Sequence, residues 1–233
     1  MKIAIVTSVI GSLEKVSQPS IVFKNADYYV FTDQSTEGTI WNKKEIYNFS
    51  DDEKYNFRRN AKIYKILPEL FIPDYDYYFW VDISHDVIMD PDDICQNYVK
   101  DGLFGNFKHD LRSCIYSEAA ELKQYNYDHH DNIDRQVAYY KSIGYPENNG
   151  LWELSAFVKK NTPETRNLSL KWWDHICRYA SRDQVSFPVC LWKCGITPSM
   201  LPGAVNGIDK DGKGRNLLMA QTRVHAGSRH GCK

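Results

Sequence analysis

The chain has no surplus of positive charge: 29 Lys and Arg stand against 30 Asp and Glu, a formal net charge of -1. Without a basic excess there is no electrostatic footprint for nucleic acid, and nucleic-acid partners are excluded. No apolar run approaches the roughly 20 residues that cross a bilayer, so no membrane span is expected. The first apolar run, Ile3 to Val6, is too short for a secretory core and has no small-residue cleavage site after it, which predicts a soluble, cytoplasmic protein. The glycines follow neither the Walker nor the dinucleotide fingerprint. The six cysteines (Cys95, Cys114, Cys177, Cys190, Cys194 and Cys232) lack zinc spacing, since the close pair Cys190/Cys194 has no second pair. They are expected to be buried thiols of a reducing compartment. No repeat, low-complexity tract or linker divides the 233 residues, so one α/β domain spanning 1–233 is expected.

What is present is a run of apolar and aromatic residues, Tyr77 to Val81, that stops at Asp82. Pro73-Asp74 and Asp90-Pro91 bound it, and its unbroken apolar character reads as a strand buried on both faces of a largely parallel sheet. Ligands of such sheets bind beyond the carboxyl ends of the strands. Asp82, followed by Ser84, His85 and Asp86, therefore supplies hard-cation ligands at the tip of a central strand. Two more strands end on small polar or acidic residues: Ile3 to Val6 at Thr7-Ser8, and Tyr28 to Phe31 at Thr32-Asp33. Asp33 reads equally as a site residue or as the opening of a turn.

Asp51 to Leu70 has helical periodicity, with Arg58, Lys62 and Lys65 on one face and Arg59 beside them. Asp90-Pro91-Asp92-Asp93 is a complete helix start, which accounts for Asp92 and Asp93 without metal. Gly102 to Ser117 carries an edge or strand segment with His109 and Arg112. Tyr127-Asp128-His129-His130-Asp131 resembles a metal cluster, but adjacent histidines diverge, and the segment is placed at a helix start facing an acceptor. Glu153 is a lone acid inside the strand Leu151 to Val158 and has to be paired or functional. Thr162-Pro163 opens another helix. Ser181 and Gln184 have capping-box spacing, which leaves Arg182 and Asp183 unexplained. Pro198 to Arg215 is rich in glycine and suits a lid.

These motifs, in order, resemble those of GT-A glycosyltransferases. The likeness is nearest to the mucilage-type glycosyltransferase-like group and to the glycosyltransferase domains with which chloroviruses decorate their capsid protein. It is carried by Arg59-Asn60-Ala61-Lys62 with Lys65, Trp80-Val81-Asp82-Ile83-Ser84, Lys108-His109 with Arg112, Cys114 to Glu118, and Trp172-Trp173 followed by Ser181 to Phe187. The resemblance implies a Rossmann-like GT-A fold, with a mixed, mostly parallel sheet flanked by helices. It implies a nucleoside-diphosphate-sugar donor, a UDP-sugar foremost, a glycan or glycoprotein acceptor, and Mn²⁺ or Mg²⁺ on Asp82 and His225, with Asp86 a lesser candidate. Donor contacts fall on Thr7, Ser8, Asp33, Arg59, Lys62, Lys65, Ser84, His109, Arg112 and Arg182. Catalytic roles fall on Glu153, Asp183 and Gln184, and analogy with family 8 leans toward a retaining outcome. Ser84 stands where the metal motif normally has a second acid. A metal-dependent phosphoesterase and a catalytically silent nucleotide- or glycan-binding module are the rival readings.

Overall fold

A computed structural model describes residues 1–11, 14–50 and 55–203, and the backbone of 219–221. The chain runs β1 (Ile3–Val9), β2 (Asp27–Thr32), β3 (Asn42–Lys44), α1 (Asn56–Ile66), β4 (Tyr77–Val81), β5 (His85–Val87) and α2 (Pro91–Ile94). It continues through β6 (Phe104–Lys108), α3 (Ile115–Gln124), α4 (His130–Ser142), β7 (Trp152–Lys160), α5 (Pro163–Arg178), α6 (Asp183–Cys194), β8 (Ser199–Met200) and β9 (Met219–Gln221).

Seven strands form one sheet in the order β3-β2-β1-β4-β7-β6-β8. All neighbours pair in parallel except β7, which runs against both β4 and β6. This is the mixed, mostly parallel sheet flanked by helices that the sequence led us to expect. β4 is the middle strand, and every residue from Tyr77 to Val81 is buried. One face packs Ile5, Phe79, Val81 and Val158 against Ile94, Cys95 and Val99 of the α2 segment. The other packs Val6, Trp80, Leu154 and Phe157 against Ile63 and Tyr64 of α1, Trp172 of α5 and Phe187 of α6. A third cluster joins α3 and α4 to Val185 and Val189 on the far side of α6.

Local chemistry explains most boundaries. The Asp90 side chain accepts the Asp92 N–H at 2.9 Å and Pro91 takes the first helical position, so α2 starts where the sequence placed it. Thr162 and Thr165 cap each other reciprocally at the start of α5. α1 is shorter than expected: it ends at Ile66, ahead of Pro68, and the expected caps Asp51 and Asp52 lie outside the described residues. One expectation is overturned. Ser181 and Gln184 do not form a capping box, because α6 opens at Asp183 behind Arg182 with no side-chain cap. The Ser181 hydroxyl instead donates to Asp128 Oδ2 at 2.6 Å, and the Gln184 amide to Glu153 Oε2 at 3.3 Å. Of the described cysteines, Cys95, Cys114 and Cys190 are buried as expected, whereas Cys177 is exposed. No helix of the described residues is long and apolar enough to cross a membrane.

Lys159 of β7 crosses the helical face of the sheet as a buried cation. Its Nζ donates to Glu69 Oε2 (2.6 Å), Ile66 O (2.9 Å) and Ser169 Oγ (3.1 Å), tying α1 and the turn after it to α5. Burial, opposed by Glu69, lowers its pKa to about 8. Lys159→Ala strands Glu69 as an uncompensated charge and is expected to cost about 3–5 kcal/mol in urea unfolding. A loss under about 1 kcal/mol would mean that the pair is dispensable.

Candidate active site

The carboxyl ends of β1 and β4 and the amino end of α1 enclose a cavity of about 210 Å³. Ser8, Arg58, Lys62, Asp82, Tyr127 and Arg182 line it with Glu14, and Phe57, Ile10 and Ile83 supply apolar wall. The position is the one at which open α/β sheets bind ligands. Asp82 is held in place: its backbone N–H donates to Ser155 O at 2.7 Å, and its Oδ1 accepts the Trp80 indole N–H at 2.8 Å.

Beneath the floor sits a buried charge cluster. Asp183 Oδ2 lies 2.8 Å from Lys62 Nζ and 2.5 Å from Lys65 Nζ. Burial pushes the Asp183 carboxyl up, but Lys62, Lys65 and Arg182 more than reverse it and hold it well below the usual carboxylate range. Lys62 is lowered by burial to about 8, with Asp183 and Asp82 opposing. Asp183 is thus held as an anion between its two lysines.

Arg182 and Arg58 carry the roof. Their guanidinium carbons lie 5.2 and 5.4 Å from the centroid of the Tyr127 ring. Burial and then the charge of Arg182 lower the pKa of Arg58. Burial likewise opposes the Arg182 charge, yet Asp183, Glu118, Tyr127 and Glu153 outweigh it and raise that pKa. The Arg182 Nε is buried without a hydrogen-bond partner. Asp128 fixes the roof, accepting the Ser181 N–H at 2.7 Å and its hydroxyl at 2.6 Å.

A second polar cluster adjoins through consecutive residues of α6. Glu153 Oε2 accepts from Gln184, and Glu153 Oε1 stands 3.5 Å from His109 Nε2. His109 Nδ1 accepts the N–H groups of Leu111 and Arg112 at 3.1 Å each, which places its proton on Nε2. Burial keeps this imidazole neutral by lowering its pKa. Arg112 Nε donates to Glu118 Oε2 at 2.6 Å, which gives Arg112 a structural partner. Burial raises Glu153 to about 7, against the pull of Arg182. Gln184 Oε1, buried beside it, has no partner.

The residues expected from sequence therefore divide. Ser8, Lys62, Asp82 and Arg182 meet in the cavity, Lys65 and Asp183 lie under it, and Glu153, Gln184 and His109 adjoin it, with Arg112 behind His109. Thr7 is buried within the sheet. Asp33 braces the loop after β1, accepting the Gly11 N–H at 3.2 Å on both oxygens. Arg59 points away, donating to Tyr179 O at 2.8 Å and Ile176 O at 3.3 Å. Its neighbour Arg58 lines the cavity instead; the signal was legible, since Arg58 shares a helix face with Lys62 and Lys65. Tyr127, on the other hand, stood out in the sequence only as the first residue of the Tyr127–Asp131 segment and not as a wall of this cavity.

The metal expectation fares differently. Asp86 Oδ2 is taken by the Ser20 N–H (3.0 Å) and hydroxyl (2.5 Å), and the Ser84 hydroxyl pairs with His85 Nδ1 at 3.0 Å. His225 lies outside the described residues, as do most of the expected lid and Cys232. Among the described residues no group of three His, Cys, Asp or Glu could hold a metal, and the expected set of Asp82 with His225 extends beyond them.

The raised Glu153 pKa has a stability consequence. A carboxyl whose folded pKa, about 7, exceeds its unfolded value favours folding below the unfolded pKa and loses that contribution as pH rises through 7. Glu153→Gln should therefore gain on the natural protein by up to about 3 kcal/mol between pH 4 and pH 8.5 in urea unfolding. Parallel stability curves for the two proteins would contradict the assignment.

A profile described as the TOD1/MUCI70 glycosyltransferase-like domain matches residues 1–202. The chain is 25% identical over 215 residues to the "Probable hexosyltransferase MUCI70" of Arabidopsis thaliana, covering 79% of this chain and 36% of that protein. The chain thus spans about a third of the curated relative it matches. Among solved structures, the "WbbM bifunctional glycosytransferase" apo structure aligns with a TM-score of 0.49 and 12% identity, over 86% of this chain and 39% of that one. Mouse xyloside xylosyltransferase 1 aligns with a TM-score of 0.48 and 6% identity, over 86% and 84%. At that level of likeness neither structure bears on the chemistry. The profile match covers most of the chain, as its motifs led us to expect, and the chain belongs to the TOD1/MUCI70 glycosyltransferase-like family.

Proposed function

We propose that the protein moves a hexosyl group from a nucleoside diphosphate sugar, a UDP-sugar foremost, to a hydroxyl of a glycan or glycoprotein acceptor. The observation that carries this reading is the junction of two unlike clusters at Arg182-Asp183-Gln184. A cationic cavity suited to a diphosphate adjoins a buried carboxyl, Glu153, beside an amide oxygen without a partner.

The step breaks the bond between the anomeric carbon and the diphosphate oxygen, and the electron pair leaves with the diphosphate. Arg58, Lys62 and Arg182 face the charge that develops there, in a site where burial strengthens each contact. Asp183 keeps Lys62 in place from below. Retention, the outcome implied by the resemblance, has the acceptor hydroxyl attack from the side the diphosphate leaves and pass its proton to it. Ionised Glu153 then faces the positive charge at the anomeric carbon, and Gln184 and His109 fix its two oxygens.

Two outcomes check the reading. Nucleotide release from a panel of UDP-, GDP- and dTDP-sugars should require an acceptor glycan and show an acid limb near pH 7, where Glu153 ionises. Glu153→Gln should lose about 100-fold or more in kcat along with that limb, while UDP affinity changes by less than about threefold. NMR of the product anomer reads the stereochemistry; an inverted product would make Glu153 the base that takes the acceptor proton. UDP binding without turnover of any donor would instead favour a silent binding module.

A further inference from the structure

The buried stripe of α3 is Ile115, Glu118, Ala119 and Leu122, at the spacing of an inward helix face. Ile115, Ala119 and Leu122 pack against Val185 and Val189 of α6. Glu118 is the charged member of that stripe, with its side chain 3% exposed. An apolar side chain at such a position serves stability as well as a buried ion pair does, or better, so packing does not account for a carboxylate there.

Its neighbours do. Glu118 Oε2 accepts Arg112 Nε at 2.6 Å and stands 3.9 Å from His109 Nε2. Glu153 Oε1 stands 3.5 Å from the same nitrogen. Carboxylates from α3 and β7 thus face one edge of the imidazole, which favours the proton on Nε2. Arg112 secures the other edge. Its backbone N–H, with that of Leu111, donates to His109 Nδ1, while its guanidinium is tied to Glu118. Glu118 therefore anchors the turn that aims the ring, and the ring meets Glu153. Other charges also face Glu153. Burial is the largest cause of its raised pKa; Arg182 of α6 lowers it, Asp110 and Glu118 raise it, and Arg112 lowers it.

We infer that Glu118 is a positioning residue for Glu153: through Arg112 and His109 it fixes the direction in which that carboxyl points. The inference rests on the reading of Glu153 as the group that faces the anomeric carbon, and it says how the fold aims that group. Glu118 acts only through its neighbours. Its charge also keeps Glu153 protonated to a higher pH than a neutral amide in its place would.

The test is Glu118→Gln in the whole chain, assayed with the nucleotide sugar of the panel that the natural protein turns over. The variant should lose about tenfold in kcat, while KM for the donor changes by less than about threefold. Its acid limb should move below pH 7 by at least about half a unit, because an anion is removed and Arg112 is left uncompensated. Glu118→Asp, which keeps the charge, should keep the limb near pH 7. In a His109→Gln background, Glu118→Gln should lower kcat by less than about a further twofold, since the path is already cut. A limb that stays in place, or a tenfold loss repeated in that background, overturns the inference and leaves the reading of Glu153 standing. The natural protein supplies a measurement that needs no variant. The ¹⁵N shift of His109 Nε2 should step near pH 7 as Glu153 ionises, with the ring neutral throughout. A ring protonated on Nδ1, or one without that step, overturns the inference as well. Failure of the natural protein to turn over any donor overturns the reading of Glu153 and the inference with it.

Discussion

One buried carboxylate governs the site. Asp183 accepts two ammonium groups on a single oxygen, from residues three apart on α1, and so clamps the start of α6 onto that helix. Burying charge is favourable only when partners are close and well placed, and here they are supplied by elements far apart in sequence. The clamp fixes which way α1 faces. It turns Lys62 and Arg58 toward the carboxyl ends of β1 and β4 and sends Arg59 to the opposite side, where it caps the carbonyls at the end of α5. It also sets Arg182 and Gln184, the neighbours of Asp183, on two different clusters.

That arrangement explains why a short stretch before and into α6 does so much. Ser181 is locked by Asp128, Arg182 roofs the cavity, Asp183 grips α1, and Gln184 reaches Glu153. A capping box would have spent Ser181 and Gln184 on the backbone of their own helix. Tertiary partners outbid it, and α6 starts without a side-chain cap. The strength of those partners is a physical reason for the local rule to fail at this point and not at Thr162, where no such partner intervenes.

The fold was largely legible. The apolar run Tyr77–Val81 could only be a central strand, and the proline and capping signals at Asp90 and Thr162 placed two helices. The site was legible in part. Strand ends and helix periodicity located Ser8, Lys62 and Asp82, and the lone acid Glu153 announced itself by being out of place in an apolar strand. What periodicity could not show is which of two adjacent arginines a helix turns inward, because that depends on the angle at which α1 is clamped. Nor could it show that Asp33 and Asp86 are spent on bracing loops, since a carboxylate at a strand end reads the same whether it meets a ligand or the N–H of Gly11 or Ser20.

β7 is the one strand of the sheet that runs in reverse, and this decides which loops edge the site. Being reversed, it delivers Glu153 from its beginning, just after the turn at Tyr145–Gly150, while the neighbouring strands deliver their residues from their ends. The segment that leads into Glu153 is therefore separate in sequence from the one that builds the cationic cavity. Substitutions or insertions in that turn can therefore reshape whatever approaches Glu153 while the cationic cavity stays intact, so that on the proposed function the acceptor side can change independently of the donor side.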